Sequence, residues 1–228
     1  MLWRVLELAI VPFPGDRASF FRGNCEMSQQ DANDSIPDEN TQREVLDSDG
    51  KEHSFSSLFE GVPEPKTLII FVRHFLCHQC FDYVKMLVEK FPPTTPFKKE
   101  FIGCGEPKMI EKYKKDTGCT WPMYANPDKS IYAAFGMVRT LKKGDTEEWQ
   151  TTSLTSGIWR AVKLAGNLTS AGDWKQNGGE VLYDNQGKCL WAHLMTTTTD
   201  HAGEDELKKV RESVLEDLKD EGTRSVFQ

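Results

Sequence analysis

A chain of 228 residues holds one domain with extensions, and 38% hydrophobic with 28% charged residues is ordinary for a globular protein. The net charge of −7 argues against a basic, phosphate-tracking surface, so no nucleic acid is expected as a partner. Cysteines at 25, 77, 80, 104, 119 and 189 are too sparse for the disulfide framework of a small secreted domain.

Residues 1–40 stand apart from the rest. The first residues are apolar but carry Arg4 and Glu7, lack a small-residue cleavage site and are too short to span a bilayer. Neither a membrane partner nor secretion is expected, the setting is read as cytoplasmic, and the Asn167-Leu168-Thr169 sequon as chance. Residues 28–40 are polar and acidic, and bury too little apolar surface to offset their ordering entropy. They are read as a flexible N-terminal extension, with Met27 as an alternative start.

A domain is expected over 41–220, followed by a C-terminal tail at 221–228. It opens with a strand at Glu44-Val45-Leu46 and a tight turn over 47–51. A short helical turn over 54–59 points Phe55, Leu58 and Phe59 inward. Residues 67–75 form a continuous β-rich apolar run broken only by Arg73 and His74, the pattern of a central strand covered on both faces. Phe81, Val84, Leu87, Val88 and Phe91 then fall at helical spacing, and Pro92-Pro93 ends that helix. A strand at 101–103, a helix at 107–117 capped by Gly118, a strand at 122–124 and a short helix to Phe135 follow. The stretch 139–178 is irregular, with a helix expected over 158–164 and tryptophans at 149, 159 and 174. A hairpin over 181–194 turns at Asp184-Asn185-Gln186-Gly187, and a charged amphipathic helix covers 204–218. Alternating strands and helices ending in a hairpin and a helix give an α/β sandwich around a mixed sheet.

The chemistry concentrates at Cys77-His78-Gln79-Cys80, where the central strand turns into a helix. Unpaired N–H groups at a helix N-terminus stabilise a thiolate, the reactive form of cysteine. Cys77 would lie beside those groups, Cys80 one turn further in, and a cationic His78 would favour the thiolate further. A structural zinc site is the competing reading of C-x-x-C. It lacks a second ligand pair of suitable spacing, so no metal is expected. No Gly-rich phosphate loop or His-Glu-x-x-His pattern is present, and no cofactor is implied.

The run Phe71-Val72-Arg73-His74-Phe75-Leu76-Cys77-His78-Gln79-Cys80 resembles the signature of peroxiredoxin-like proteins of the AhpC/TSA antioxidant group. Weaker matches follow at Thr117-Gly118, Ala125-Asn126-Pro127, residues 131–137, Gly178-Gly179-Glu180-Val181, Trp191-Ala192-His193 and Asp200-His201. The resemblance covers roughly residues 40–218. It implies a thioredoxin-like fold, a central mixed sheet flanked by helices with peroxiredoxin-type additions. It also implies Cys77 as the thiolate that attacks a peroxide, Cys80 as the nearest resolving thiol, and a thioredoxin- or glutathione-type reductant. Ile70 and His74 occupy positions where such enzymes carry Pro and Thr or Ser, leaving His74 as a substitute donor. Arg73, Arg139 and Arg160 are the candidates for the assisting arginine, and Cys104 for a distant resolving thiol. A thioredoxin- or glutaredoxin-like disulfide reductase is the second reading, with Pro122 as the candidate cis-proline facing the motif. A non-catalytic redox-sensing or binding module is the third. His193, Asp200 and His201 are read as capping and loop residues.

Overall fold

A computed structural model of the chain describes residues 43–91, 95–145 and 169–226. The expectations for residues 1–40, the helix at 158–164, Trp149, Trp159, Arg160 and the sequon asparagine lie outside them. Seven strands form one mixed sheet: β1 Glu44–Leu46, β2 Glu52–Ser54, β3 Lys66–Val72, β4 Lys98–Gly103, β5 Met123–Ala125, β6 Gly179–Asp184 and β7 Cys189–Leu194, in spatial order β2-β1-β5-β4-β3-β6-β7. The helices are α1 His78–Lys90, α2 Ile110–Thr117, α3 Ser130–Ala134 and α4 Glu204–Val226. The helix expected over 204–218 thus runs on to Val226, into the stretch read as a tail.

The continuous apolar run of β3 has the physical cause the sequence suggested: all seven of its residues are buried. Alternate side chains serve two cores. Leu68, Ile70 and Val72 pack with Leu182 of β6 and with the inner faces of α1, α2 and α4. Ile69 and Phe71 pack on the other side with Val45, Phe55, Phe59, Tyr132 and Phe135. Phe59 stacks on Tyr183 at 4.0 Å, closing the turn over 56–58 onto the sheet. Lys90 of α1 pairs with Glu204 of α4, so the two long helices are joined where α4 begins.

The connections place the chemistry. β3 crosses through α1 to the parallel strand β4, while β6 returns antiparallel to β3 and turns back antiparallel into β7 before α4. That order, a parallel crossover followed by an antiparallel hairpin and a helix, is a thioredoxin-like α/β fold; β5 and the β1–β2 hairpin extend its sheet. Tyr132 of α3 donates its hydroxyl between the Val72 and Ile102 carbonyls, at 2.7 and 2.9 Å, tying the C-terminal ends of β3 and β4 together directly before the motif. Among the described residues no helix is long and apolar enough to cross a membrane.

Candidate functional site

Cys77 caps the N-terminus of α1. Its backbone is extended, at φ −68° and ψ 112°, and its sulfur accepts the Cys80 N–H at 3.2 Å. That is the place of an N-capping Ser or Asp oxygen, filled here by a sulfur atom that carries charge well when ionised. Burial alone would raise the Cys77 thiol. The Cys80 thiol, the charges of Arg73 and His74 and the Cys80 N–H outweigh it and hold Cys77 well below the ordinary thiol range.

Arg73 is the cation that matters at neutral pH. It is 5% exposed, and three loop acceptors fix its guanidinium: Nε donates to the Gln176 carbonyl at 3.2 Å and to Asn177 Oδ1 at 3.1 Å, and Nη2 to the Trp174 carbonyl at 2.8 Å. Nη1 is left facing Cys77 Sγ at 3.6 Å. Among the described residues no carboxylate pairs with this buried cation, so the Cys77 thiolate is the anion placed to balance it. His74 cannot do the same: burial pushes its pKa down to about 4, leaving it neutral at pH 7. Its Nδ1 accepts the Leu76 N–H at 3.3 Å, which puts the remaining proton on Nε2, and its ring packs on Trp174 at 4.7 Å. His78 is the first residue of α1, half-buried, and makes no hydrogen bond to either sulfur.

Cys80 is fully buried. Burial, and the hydrogen bond and charge of Cys77, push its thiol well above the ordinary range. Behind it lies His201, whose Nε2 is 3.4 Å from Cys80 Sγ and whose Nδ1 is 2.8 Å from Glu180 Oε1. Sequence reasoning read His201 as a loop residue and gave Glu180 no part in the site. A glutamate inside the apolar strand Gly179-Glu180-Val181-Leu182-Tyr183 was the signal available, since buried carboxylates need a partner. The loop acceptors around Arg73 were missed as well, because an irregular stretch offers no period from which to place them.

The remaining candidates among the described residues make no contact with either sulfur. Cys104 donates its S–H to the Arg73 carbonyl at 2.8 Å and accepts the Asp173 N–H at 3.3 Å, and burial pushes it up to about 11. It clasps the loop over 173–177 to the end of β4. Cys119 is also pushed up to about 11 by burial. Arg139 is committed to Asp173 at 2.6 Å. Pro122 corrects an expectation: it is exposed, precedes β5 and bonds back to Phe101 through its carbonyl, away from the motif, and no peptide bond among the described residues is cis. The segment preceding the antiparallel strand, which does face the motif, is Gln176-Asn177-Gly178. Among the described residues no three His, Cys, Asp or Glu side chains are grouped to hold a metal ion. A small apolar notch lined by Phe75, Leu76, Phe81, Met109 and Tyr113, with Lys112 and Asp116 at its rim, opens on Cys77.

The profile of a family described as AhpC/TSA antioxidant enzyme matches residues 87–197, beginning downstream of both motif cysteines. Peroxiredoxin-like 2C of Mus musculus is 31% identical over 168 residues, 69% of this chain and 72% of the relative. The Homo sapiens protein of the same name is 31% identical over 170 residues, 69% and 72% of the two chains. Among solved structures, a mutant of peroxiredoxin Q from Xanthomonas campestris is 13% identical with a TM-score of 0.47, covering 82% of this chain and 96% of that one. On the identity and coverage of the Peroxiredoxin-like 2C relatives, the chain belongs to the peroxiredoxin-like AhpC/TSA antioxidant family, a family of thiol-dependent redox proteins.

Proposed function

We propose that the protein is a thiol oxidoreductase in which Cys77 attacks a peroxide and Cys80 resolves the product. The observation that carries this reading is the placement of Cys77 Sγ between the Cys80 N–H and the anchored guanidinium of Arg73. Both favour the thiolate, and a guanidinium beside the sulfur also stabilises negative charge developing on a peroxide oxygen. In the first step an S–O bond forms at Cys77, the O–O bond breaks, and the leaving oxygen takes a proton. Cys80 then attacks the Cys77 sulfur, water leaves, and a disulfide forms; a thioredoxin- or glutathione-type thiol returns both sulfurs to the reduced state. His74 Nε2–H supplies a donor at the position where the resemblance to typical peroxiredoxins implies a Thr or Ser hydroxyl.

The absence of that hydroxyl favours a second reading, disulfide reduction, in which Cys77 attacks a sulfur instead of an oxygen. Steady-state turnover with hydrogen peroxide plus thioredoxin, set against a small disulfide plus glutathione, separates the two. Cys77→Ser is expected to abolish whichever activity is present, and Cys80→Ser to leave Cys77 trapped as a sulfenic acid or mixed disulfide, visible by intact mass. Full turnover in Cys77→Ser protein refutes both readings.

A further inference from the structure

Cys80 Sγ, His201 and Glu180 form a continuous hydrogen-bonded line running away from Cys77 through the interior. Three separate elements supply it: Cys80 comes from α1, Glu180 from the start of β6, and His201 from the segment entering α4. The side chains of His201 and Glu180 are both fully buried. Glu180 Oε2 also accepts the Ala202 N–H at 3.1 Å, and the Tyr83 ring stacks on the imidazole at 4.2 Å with an interplanar angle of 11°. The imidazole is therefore fixed in plane and in direction.

The proton positions follow from chemistry. A carboxylate oxygen accepts, so Glu180 takes the N–H of Ala202 at Oε2 and, in this arrangement, the Nδ1–H of His201 at Oε1. His201 Nε2 is then a lone pair aimed at Cys80, whose thiol keeps its proton. This is a base held against a thiol that does not ionise by itself, the reverse of the situation at Cys77.

We infer that His201 is the general base of the resolving step and that Glu180 is its positioning residue, a proton path separate from the Arg73 side of the site. This rests on the reading of Cys77 as the attacking thiol and Cys80 as the resolving one. As the Cys80 sulfur bonds to the Cys77 sulfur, the Cys80 proton passes to His201 Nε2 and the bond from Cys77 to its oxygen or sulfur substituent breaks. The electron pair of that bond leaves with the departing group. The imidazolium so formed is balanced by Glu180. Its proton leaves through the adjoining cleft of about 1040 Å³, whose lining includes Asp82, His193, Asp200, His201 and Glu206. In the reductive direction the same path returns a proton to the departing Cys80 sulfur.

The test uses the full-length reduced protein and dithiodipyridine, an aromatic disulfide that releases one coloured thione when Cys77 attacks and a second when Cys80 resolves. In His201→Gln the second release is expected to slow by about 100-fold or more at pH 7, the lower range for a lost general base, with the first release retained. Its rate should then climb about tenfold per pH unit as hydroxide replaces the base, a slope the wild type lacks near neutrality. The groups facing His201 from its neighbours, Glu180, Cys80, Tyr83, Asp82, His193, Asp200 and Glu206, remain in place, so the changed slope belongs to position 201. Glu180→Gln should act in the same direction, because an amide N–H donating to Nδ1 forces the proton onto Nε2; it carries the test if His201→Gln does not fold. An unchanged second release in either folded variant overturns the relay, as does an equal loss of both releases. A wild type that gives no first release refutes the assignment of Cys77 and the relay with it.

Discussion

At the scale of single residues, the site is built from one cation and two sulfurs kept in different states. Arg73 faces Cys77, while Cys80 accepts the Arg73 backbone N–H at 3.4 Å and lies against His201 Nε2 at the same distance. Replacing Arg73 by Met keeps much of the aliphatic stem and removes the charge. The Cys77 pKa should rise toward an ordinary thiol, and alkylation by iodoacetamide at pH 6 should slow by about tenfold or more, one unit of lost thiolate. Cys104 and Cys119 are each pushed up to about 11, and peptide mass spectrometry reads the alkylation at Cys77 apart from Cys25 and Cys189. An unchanged rate in Arg73→Met would show that the helix terminus and Cys80 suffice without the guanidinium. Lys at this position should restore the rate only in part, since it lacks the fork that reaches the Trp174, Gln176 and Asn177 acceptors together. Three arginines were equal candidates from sequence. Of the two among the described residues, Arg73 is the one anchored at Cys77, by a loop 103 residues along the chain.

At the scale of elements, that loop is held by backbone contacts too close for a side chain. A Cβ on Gly178 would sit 1.8 Å from the Phe71 carbonyl oxygen, and the Gly178 carbonyl accepts the Met195 N–H at 3.1 Å. Gly178→Ala must therefore push the start of β6 off β3. We expect a loss of about 1–3 kcal/mol in urea unfolding, the range for overpacked positions, together with slower alkylation of Cys77 as the Arg73 acceptors shift. An alanine variant of wild-type stability would mean that the loop moves freely against β3. The long elements were legible because each has a strong period or a continuous apolar run: β3, α1, the β6–β7 hairpin and α4. β2 was not, since Glu52-His53-Ser54 carries no apolar residue, and its strand conformation exists through pairing with β1. The redox motif was legible because Cys77 and Cys80 are close in sequence and sit at a strand-to-helix junction. Glu180 and His201 lie 100 and more residues from Cys80 and meet it only through the sheet, which no local pattern encodes.

At the scale of the whole molecule, two histidines should shape stability against pH from opposite sides. His74 is buried neutral, its pKa lowered from 6.5 to about 4 chiefly by burial. Between these values the unfolded chain binds the proton that the fold rejects, so this contribution is complete above 6.5 and is lost as pH falls to 4. His193 runs the other way: burial lowers it, but Glu206 at 3.3 Å, the charge of Glu180 and the Asp200 carbonyl raise it to about 9. The fold binds that proton more tightly than the unfolded chain, so its contribution is complete below 6.5 and is lost as pH rises to 9. Each shift is worth roughly 3 kcal/mol at most, from 1.36 kcal/mol per unit. At about 2–4 °C per kcal/mol for a domain of this size, that is roughly 6–12 °C in Tm. His74→Asn, whose amide oxygen can accept the Leu76 N–H in place of Nδ1, should flatten the acid limb of the Tm profile and leave the alkaline limb as it is. His193→Gln should do the opposite. Because the charge of His74 bears on Cys77, the His74→Asn profile is compared in a Cys77→Ser background, where the difference between the two profiles isolates the histidine. An acid limb unchanged in His74→Asn would mean that His74 gains its proton without unfolding the site. The low thiol pKa of Cys77 would then draw on a second nearby cation in acid, and its reactivity below pH 5 would exceed what Arg73 alone provides.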